Sequence, residues 1–325
     1  MKKKMKIALG VLAALLLVLC LSGVFVVKHY LNKVDRIEHE EIEVVAPENE
    51  DFETDGSGED EPVEEDRVGK APSLHDEDLI HILLVGQDTR SGKRARSDSM
   101  ILCSLNPDTR QVAMISFLRD LYVQLPEGYS NNRLNAAYAF GGFPMLYEVL
   151  NTNFGLTIDG GIEVDFEGFK DIIDLLGGVD ISLTQAEAEW MGLSAGMQHM
   201  DGETALNYSR IRKLDSDFGR TERQRNVLTA LFNKFRQSDI KTVMDLVNQV
   251  LGMVRTDLTD GEILRLAGQV APMLSQLELT THHVPADDAY HGARRNGMSV
   301  LIPDMDKIHD DLLNEYLPFS PDQKH

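Results

Sequence analysis

Cysteine is almost missing from this chain. Cys20 and Cys103 are the two among 325 residues. Cys20 falls in an apolar N-terminal run and Cys103 in an expected strand, so a disulfide between them is implausible and no zinc-ligand spacing exists. His81, His199, His282, His283 and His291 show no His-x-x-x-His spacing, and they read as satisfied or surface histidines. Aromatic residues are scarce at 6%, and Trp190 stands alone in an expected loop or short helix. No internal repeat is found. Positive charge is also short: 32 Lys and Arg face 53 Asp and Glu, for a net charge of −21. A body this acidic repels nucleic acid unless its bases are focused in one place.

The charge is unevenly spread. Residues 1–35 hold six lysines and one aspartate, whereas residues 36–78 hold 18 acids and three bases. Residues 1–6 are lysine-rich and residues 7–27 carry no charge, which is about the ~20 residues that span a bilayer. The preceding lysines favour a cytoplasmic N-terminus. No small-residue cleavage site follows Val27, so an uncleaved anchor is expected over a signal peptide. This gives a cytoplasmic tail (1–6), a single-pass cell-membrane anchor (7–27), an acidic disordered linker (28–78) and an extracytoplasmic domain (79–325). The linker has too little apolar surface to fold, and its like charges extend it.

From residue 79 the pattern turns globular. Strands are expected at 79–85, 100–105 and 112–117. Asn106-Pro107-Asp108 signals a turn that pairs the last two. A helix is expected near 144–153. Another is expected at 165–176, where Phe166, Phe169, Ile172, Ile173 and Leu176 share a face before Gly177-Gly178. A strand at 179–183 follows. Helices are then expected at 220–235, 240–254 and 261–274, the last opened by a capping box at Thr259 and Glu262. A late strand (277–284) and a closing helix (305–316) complete an α/β reading.

Two constellations carry chemistry. The first is Asp88, Arg90, Arg96 and Asp98 at the carboxyl end of the first strand, where open α/β sheets bind ligands, with Arg119-Asp120 on a later strand. The second is Arg210 and Arg212, then Arg220, Arg223, Gln224 and Arg225. Arginine forks match phosphate oxygens bidentately. A carboxylate pair can hold Mg²⁺ and leave room for substrate phosphates. Taken alone, this spacing fits an ordinary surface ion network better than catalysis. Two coherent arginine faces shift that balance. Arg210 and Arg212 alternate as on one side of a strand, and Arg220, Arg223 and Gln224 fall on one side of a helix start. Arg294-Arg295, between Gly292 and Gly297, could touch glycan but reads better as surface charge. Phe140, Phe143, Leu146, Val149, Phe166 and Phe169 could wall an apolar tunnel, although ordinary core is the commoner use of such residues.

The text of the chain resembles the LytR-CpsA-Psr family of cell-envelope proteins. The matching blocks are residues 82–90, 96–100, 116–120, 133–142, 165–169, 176–180, 202–212 and 217–224. The resemblance departs at Leu118, where the family usually has Pro, and at Arg133, where it usually has Lys. It implies a layered α/β/α domain around a central mixed sheet, preceded by one transmembrane helix. It also implies a phosphotransferase that moves an anionic glycopolymer, of teichoic acid or capsule type, from a polyprenyl-pyrophosphate carrier onto peptidoglycan. By position, Asp88 and Asp98 would hold Mg²⁺. Arg90, Arg96, Arg119, Arg133, Arg210, Arg212, Arg220 and Gln224 would clamp the pyrophosphate, with Asp88, Asp98 and Arg119 in catalytic roles. The implied partners are the lipid-linked glycopolymer, peptidoglycan and membrane lipid, with no nucleic acid. The alternatives are a membrane-bound transcriptional regulator, and a polyprenyl-pyrophosphate binder or pyrophosphatase.

Overall fold

The computed structural model describes residues 35–37, 70–87, 97–211, 214, 217–238, 249–250 and 252–320, without the side chains of Asp98 and Asp217. The expected anchor at 7–27 lies outside these residues. Among the described residues no helix is long and apolar enough to cross a membrane.

The elements run β1 (Asp35–Arg36), β2 (Ile80–Gln87), β3 (Ser97–Asn106), β4 (Gln111–Phe117), β5 (Tyr122–Val123), β6 (Asn132–Arg133), α1 (Leu134–Phe154), β7 (Gly160–Val164), α2 (Phe166–Leu175) and β8 (Val179–Leu183). They continue with α3 (Gln185–Met191), β9 (Gly196–Met200), α4 (Gly202–Ser209), α5 (Asp217–Gln237), β10 (Arg255–Thr256), α6 (Asp260–Val270), β11 (Glu278–Val284), β12 (Tyr290–Arg295), β13 (Met298–Pro303) and α7 (Met305–Asp311). A π-helical turn at Leu312–Tyr316 prolongs α7.

Seven strands form one mixed sheet in the order β1-β10-β7-β2-β3-β4-β11. β2–β3 and β3–β4 are antiparallel, whereas β2–β7 and β4–β11 are parallel. The period of two along β2 sets the layers. Leu83 and Val85 enter a core with Phe143, Leu146 and Val149 of α1 and Ile308 of α7. Ile80 and Ile82 face the other way, toward Phe232 of α5 and Leu266 and Val270 of α6. Both faces of the sheet are covered, as the apolar run at 80–85 requires. A third core joins α2, the β8–β9 ribbon, α4 and α5 through Ile173, Val179, Ile181, Tyr208, Val227 and Leu231.

The turn expected at Asn106 exists. The Asn106 Oδ1 accepts from the Asp108 and Thr109 N–H groups, closing the β3–β4 hairpin. The Thr259–Glu262 capping box opens α6. The helix expected near 144–153 is longer, with a kink at Gly142 (φ 61°) just before Pro144. The Gly141-Gly142 step therefore bends the helix without ending it. The closing helix is α for its first part and π for its last turn. The helix expected at 240–254 lies mostly outside the described residues. Cys103 on β3 is a free thiol that burial pushes up to about 12, so it has little nucleophilic character at neutral pH.

The stretch 28–78, expected as linker throughout, is not uniform. Asp35 and Arg36 pair with Arg255 and Thr256 as the edge strand of the main sheet. Leu74 is buried in the main core, and its N–H donates to the Gly155 carbonyl. Gly155 caps α1 in the left-handed region (φ 72°), and a Cβ there would fall 1.9 Å from the Pro72 carbonyl oxygen. Composition counts the charges of such a segment and misses the few apolar and backbone groups that dock it.

His81 is 2% exposed, and its Nδ1 bonds the Thr157 carbonyl at 2.9 Å. Burial pushes its pKa below the ordinary 6.5, more than the Thr157 bond and the Asp159 carboxylate raise it. The unfolded chain therefore binds a proton near 6.5 that the folded chain refuses. Stability is full above that value and falls as pH drops below it. His81→Gln, which keeps a donor for Thr157, should flatten the slope of melting temperature between pH 6.5 and 5. An unchanged slope would assign the acid lability elsewhere.

Candidate functional site

The carboxyl ends of β2 and β4 and the start of β3 lie side by side, and the sequence places its charged motifs there. β2 and β3 pair Gly86 with Ser99 and then Gln87 with Ser97. Asp98 is the extra residue of a bulge, a device that re-aims a side chain beside many active sites. Asp88 directly follows Gln87, and Asp98 directly follows Ser97. Asp88, Arg90, Arg96 and Arg212 lie outside the described residues, as does the Asp98 side chain.

Arg119 follows the end of β4, and its Nε stands 3.5 Å from Asp120 Oδ2. Arg133, at the end of β6, approaches Asp120 Oδ1 at 3.4 Å and donates from Nε to the Ser299 carbonyl at 3.0 Å. Two expected site arginines thus share one carboxylate. All three side chains keep about a fifth of their surface exposed. Leu118, standing where the family usually has Pro, is fully buried, and its N–H donates to the Val284 carbonyl at 2.9 Å. Proline could not make that bond.

The arginine-rich stretch takes a shape the alternation did not suggest. Tyr208 and Ser209 end α4, and Arg210 is its C-cap, so Arg210 does not sit in a strand. The cause is visible in the sequence: Asp201 N-caps α4 by accepting from the Thr204 N–H, and Ala205, Leu206 and Tyr208 follow the helical period. Arg210 is exposed, and its guanidinium lies 4.5 Å over the Phe166 ring. Among the described residues no carboxylate is paired with it.

Arg220 occupies the first turn of α5 and is 2% exposed. Arg223, expected on the same working face, has another use. Its Nε reaches Glu187 Oε1 at 2.8 Å, and its Nη1 donates to the Ile211 carbonyl at 2.9 Å. It therefore ties α3 and the Arg210 segment to α5. Gln224 is half-buried, and its Oε1 is sealed from solvent with no hydrogen-bond donor among the described residues.

Several groups escaped the sequence reading. Glu163, at the end of β7, is 3% exposed and accepts from the Gln87 amide, the Tyr138 hydroxyl and Arg255 Nη1 (3.2 Å). A buried acid in a strand offers no local signal, because its partners come from three distant segments. This network fixes Gln87, the last residue before Asp88. Arg295 is 5% exposed, not surface charge. The supposed tunnel walls separate: Phe143, Leu146 and Val149 are fully buried core, Phe166 carries Arg210, Phe169 joins the third core and Phe140 lines a surface pocket.

The LytR_cpsA_psr family profile matches residues 46–313, starting inside the expected linker. A relative from Oceanobacillus iheyensis, the polyisoprenyl-teichoic acid–peptidoglycan teichoic acid transferase TagU, is 34% identical over 255 residues, covering 75% of this chain and 78% of the relative. The TagU of Bacillus licheniformis is also 34% identical, over 193 residues; the match covers 58% of this chain and 63% of that relative's length. The crystal structure of Bacillus subtilis TagV superposes with a TM-score of 0.60 at 29% identity, covering 76% of this chain and all of that one. With the profile spanning most of its length, the chain belongs to the LytR_cpsA_psr family.

Proposed function

We propose that this protein is a phosphotransferase that moves an anionic glycopolymer of teichoic acid type from a polyprenyl-pyrophosphate carrier to peptidoglycan. The teichoic acid transferases among its relatives support the reaction class. The observation that carries it is Arg210: a guanidinium held over an aromatic ring, with no acid paired to it among the described residues, ahead of a helix whose first turn holds buried Arg220. Such cations are preorganised for a multiply charged anion.

In this reading an acceptor hydroxyl oxygen attacks the phosphorus that bears the glycopolymer. The bond from that phosphorus to the bridging oxygen breaks, and polyprenyl monophosphate leaves with the electron pair. The hydroxyl proton passes to a carboxylate, which we assign to Asp98. Arg90, Arg96, Arg119, Arg133, Arg210, Arg212 and Arg220 offset the diphosphate charge, with Gln224 assisting. Positioning and charge neutralisation suffice, because phosphoryl transfer asks little covalent chemistry of the protein.

Among the described residues no group of three His, Cys, Asp or Glu could hold a metal. Mg²⁺ needs fewer protein ligands, since one or two carboxylates plus substrate phosphates serve it. Asp88 and Asp98, each next to one member of the Gln87–Ser97 pair, suit that donor set. Asp88 and Asp98 would hold the ion, and it would supply positive charge that offsets the diphosphate. Residues 7–27 would anchor the chain with its body outside the cytoplasm.

Mass spectrometry of lipid extracted with the detergent-solubilised protein should detect a polyprenyl phosphate or pyrophosphate. Asp98→Ala should abolish transfer from purified lipid-linked donor. Near-normal turnover in that variant would remove Asp98 from the chemistry.

A further inference from the structure

A pocket of about 230 Å³ opens between the β5–β6 connection and the β12–β13 turn. Tyr129, Ser130, Asn131, Asn132, Phe140 and Asn296 line it, with Gly128 and Met298. We propose that this pocket is a subsite for a single uncharged, N-acetylated sugar ring of the glycan.

Size sets the first limit. The cavity is smaller than the ~300–1,000 Å³ that encloses drug-sized ligands, so it suits one ring and not a polyprenyl tail. Charge sets the second. No Asp, Glu, Lys or Arg lines it, although the chain carries 85 such residues. A phosphate would find no cation there.

The lining then says what fits. Tyr129 and Phe140 stack with centroids 5.5 Å apart and planes 20° from parallel. Such a pair offers an electron-rich aromatic surface to the slightly positive C–H face of a pyranose. The Tyr129 hydroxyl is sealed from solvent and makes no hydrogen bond among the described residues. A ligand hydroxyl or acetamido group would complete that missing bond. Asn132 accepts the Arg133 N–H at 2.8 Å through its Oδ1, leaving its NH₂ as a donor. The Asn131 and Asn296 amides and the Ser130 hydroxyl make no bond within the described residues. Amide pairs with amide in both directions, which favours an acetamido sugar over a plain hexose.

Position gives the subsite its use. Asn132 is adjacent in sequence to Arg133, which binds Asp120 and the Ser299 carbonyl. A ring seated there would lie one residue along the chain from Arg133. Its assignment to transfer rests on the function proposed above, whereas sugar binding itself does not. N-acetylated rings occur in peptidoglycan and could also occur in the donor glycopolymer, so the test separates the two.

Saturation-transfer NMR on the full-length protein in detergent micelles would use the β-1,4-linked tetramer of N-acetylglucosamine, with cellotetraose as its counterpart lacking acetamido groups. The N-acetylated probe should bind, cellotetraose should bind at least ten-fold more weakly, and Asn131→Ala or Phe140→Ala should each weaken the first by at least ten-fold. Equal binding of both probes, or binding indifferent to both variants, would overturn the proposal. Asn131 is half-buried, so its variant reports even if Phe140→Ala fails to fold. In the transfer assay, Tyr129→Phe should act mainly on KM. A rise in acceptor KM assigns the ring to peptidoglycan, and a rise in donor KM assigns it to the glycopolymer. Sugar binding without any transfer by the wild type would sink the proposed function and leave the subsite. Transfer with no sugar binding would do the reverse.

Discussion

Arg223→Ala should lower the melting temperature by on the order of 10 °C. The residue is 2% exposed, and its guanidinium is bonded to Glu187 Oε1 at 2.8 Å and to the Ile211 carbonyl at 2.9 Å. Truncation leaves the buried Glu187 carboxylate without its cation. Breaking a buried pair from one side costs about 3–5 kcal/mol, because the orphaned charge has lost both water and partner. For a domain of this size each kcal/mol moves the midpoint by roughly 2–4 °C. A drop within a few degrees would mean that water reaches Glu187 and that the pair is superficial.

The same pair makes a pH signature. Burial pushes the Glu187 carboxyl up, but the Thr184 N–H and hydroxyl and the Arg223 guanidinium together bring it below the ordinary 4.5. A carboxyl depressed on folding contributes stability that is present above the ordinary value and is lost as pH falls through the folded one. The gap in melting temperature between wild type and Arg223→Ala should therefore be full at neutral pH and shrink below 4.5. Glu187 also caps α3, so Arg223→Ala should disturb the path from Ile211 toward Arg210 before it disturbs the main sheet.

Local chemistry was readable in the sequence wherever it decided the outcome. The unbroken apolar run at 80–85 required a strand covered on both faces. Thr259 and Glu262 required a helix start, and Asn106 a turn. The amphipathic period at 166–176 required a helix packed on one side, and α2 ends one residue short of the expected bound. Other features come from partners far along the chain. The alternation of Arg210, Ile211 and Arg212 has the form of a strand, but the Asp201 cap and the burial of Ala205 and Tyr208 impose helix up to Ser209. The docking of Leu74 depends on a glycine 81 positions later. The Asp98 bulge follows from a one-residue mismatch between β2 and β3, which no single strand reveals. Arg223 looked equivalent to Arg220, and only the position of Glu187 separates a structural arginine from a candidate ligand. Chemistry-bearing residue types were therefore legible as a set, while the division of labour among them was not.

That division makes Arg210→Ala the most discriminating change for the proposed transfer. Arg210 is exposed at the end of α4, stacked on Phe166 at 4.5 Å. An exposed cation–π contact is worth about 0.5–1 kcal/mol, so the variant should melt within a few degrees of wild type. If the guanidinium meets charge developing on the diphosphate, its loss should lower kcat by about 10²–10³-fold, the usual cost of one preorganised donor. Arg210→Lys should recover part of that loss, since it keeps the charge but not the planar fork. Phe166→Leu should give an intermediate rate, because the ring positions the cation without touching substrate. Arg220→Ala would be ambiguous, for a residue 2% exposed can fail through folding alone. A lipid-linked donor assay with Arg210→Ala within three-fold of wild type, at unchanged melting temperature, would show that the α4 end takes no part in the chemistry. The arginines would then have to be divided anew, with Arg90, Arg96, Arg119, Arg133 and Arg220 left to face the phosphates.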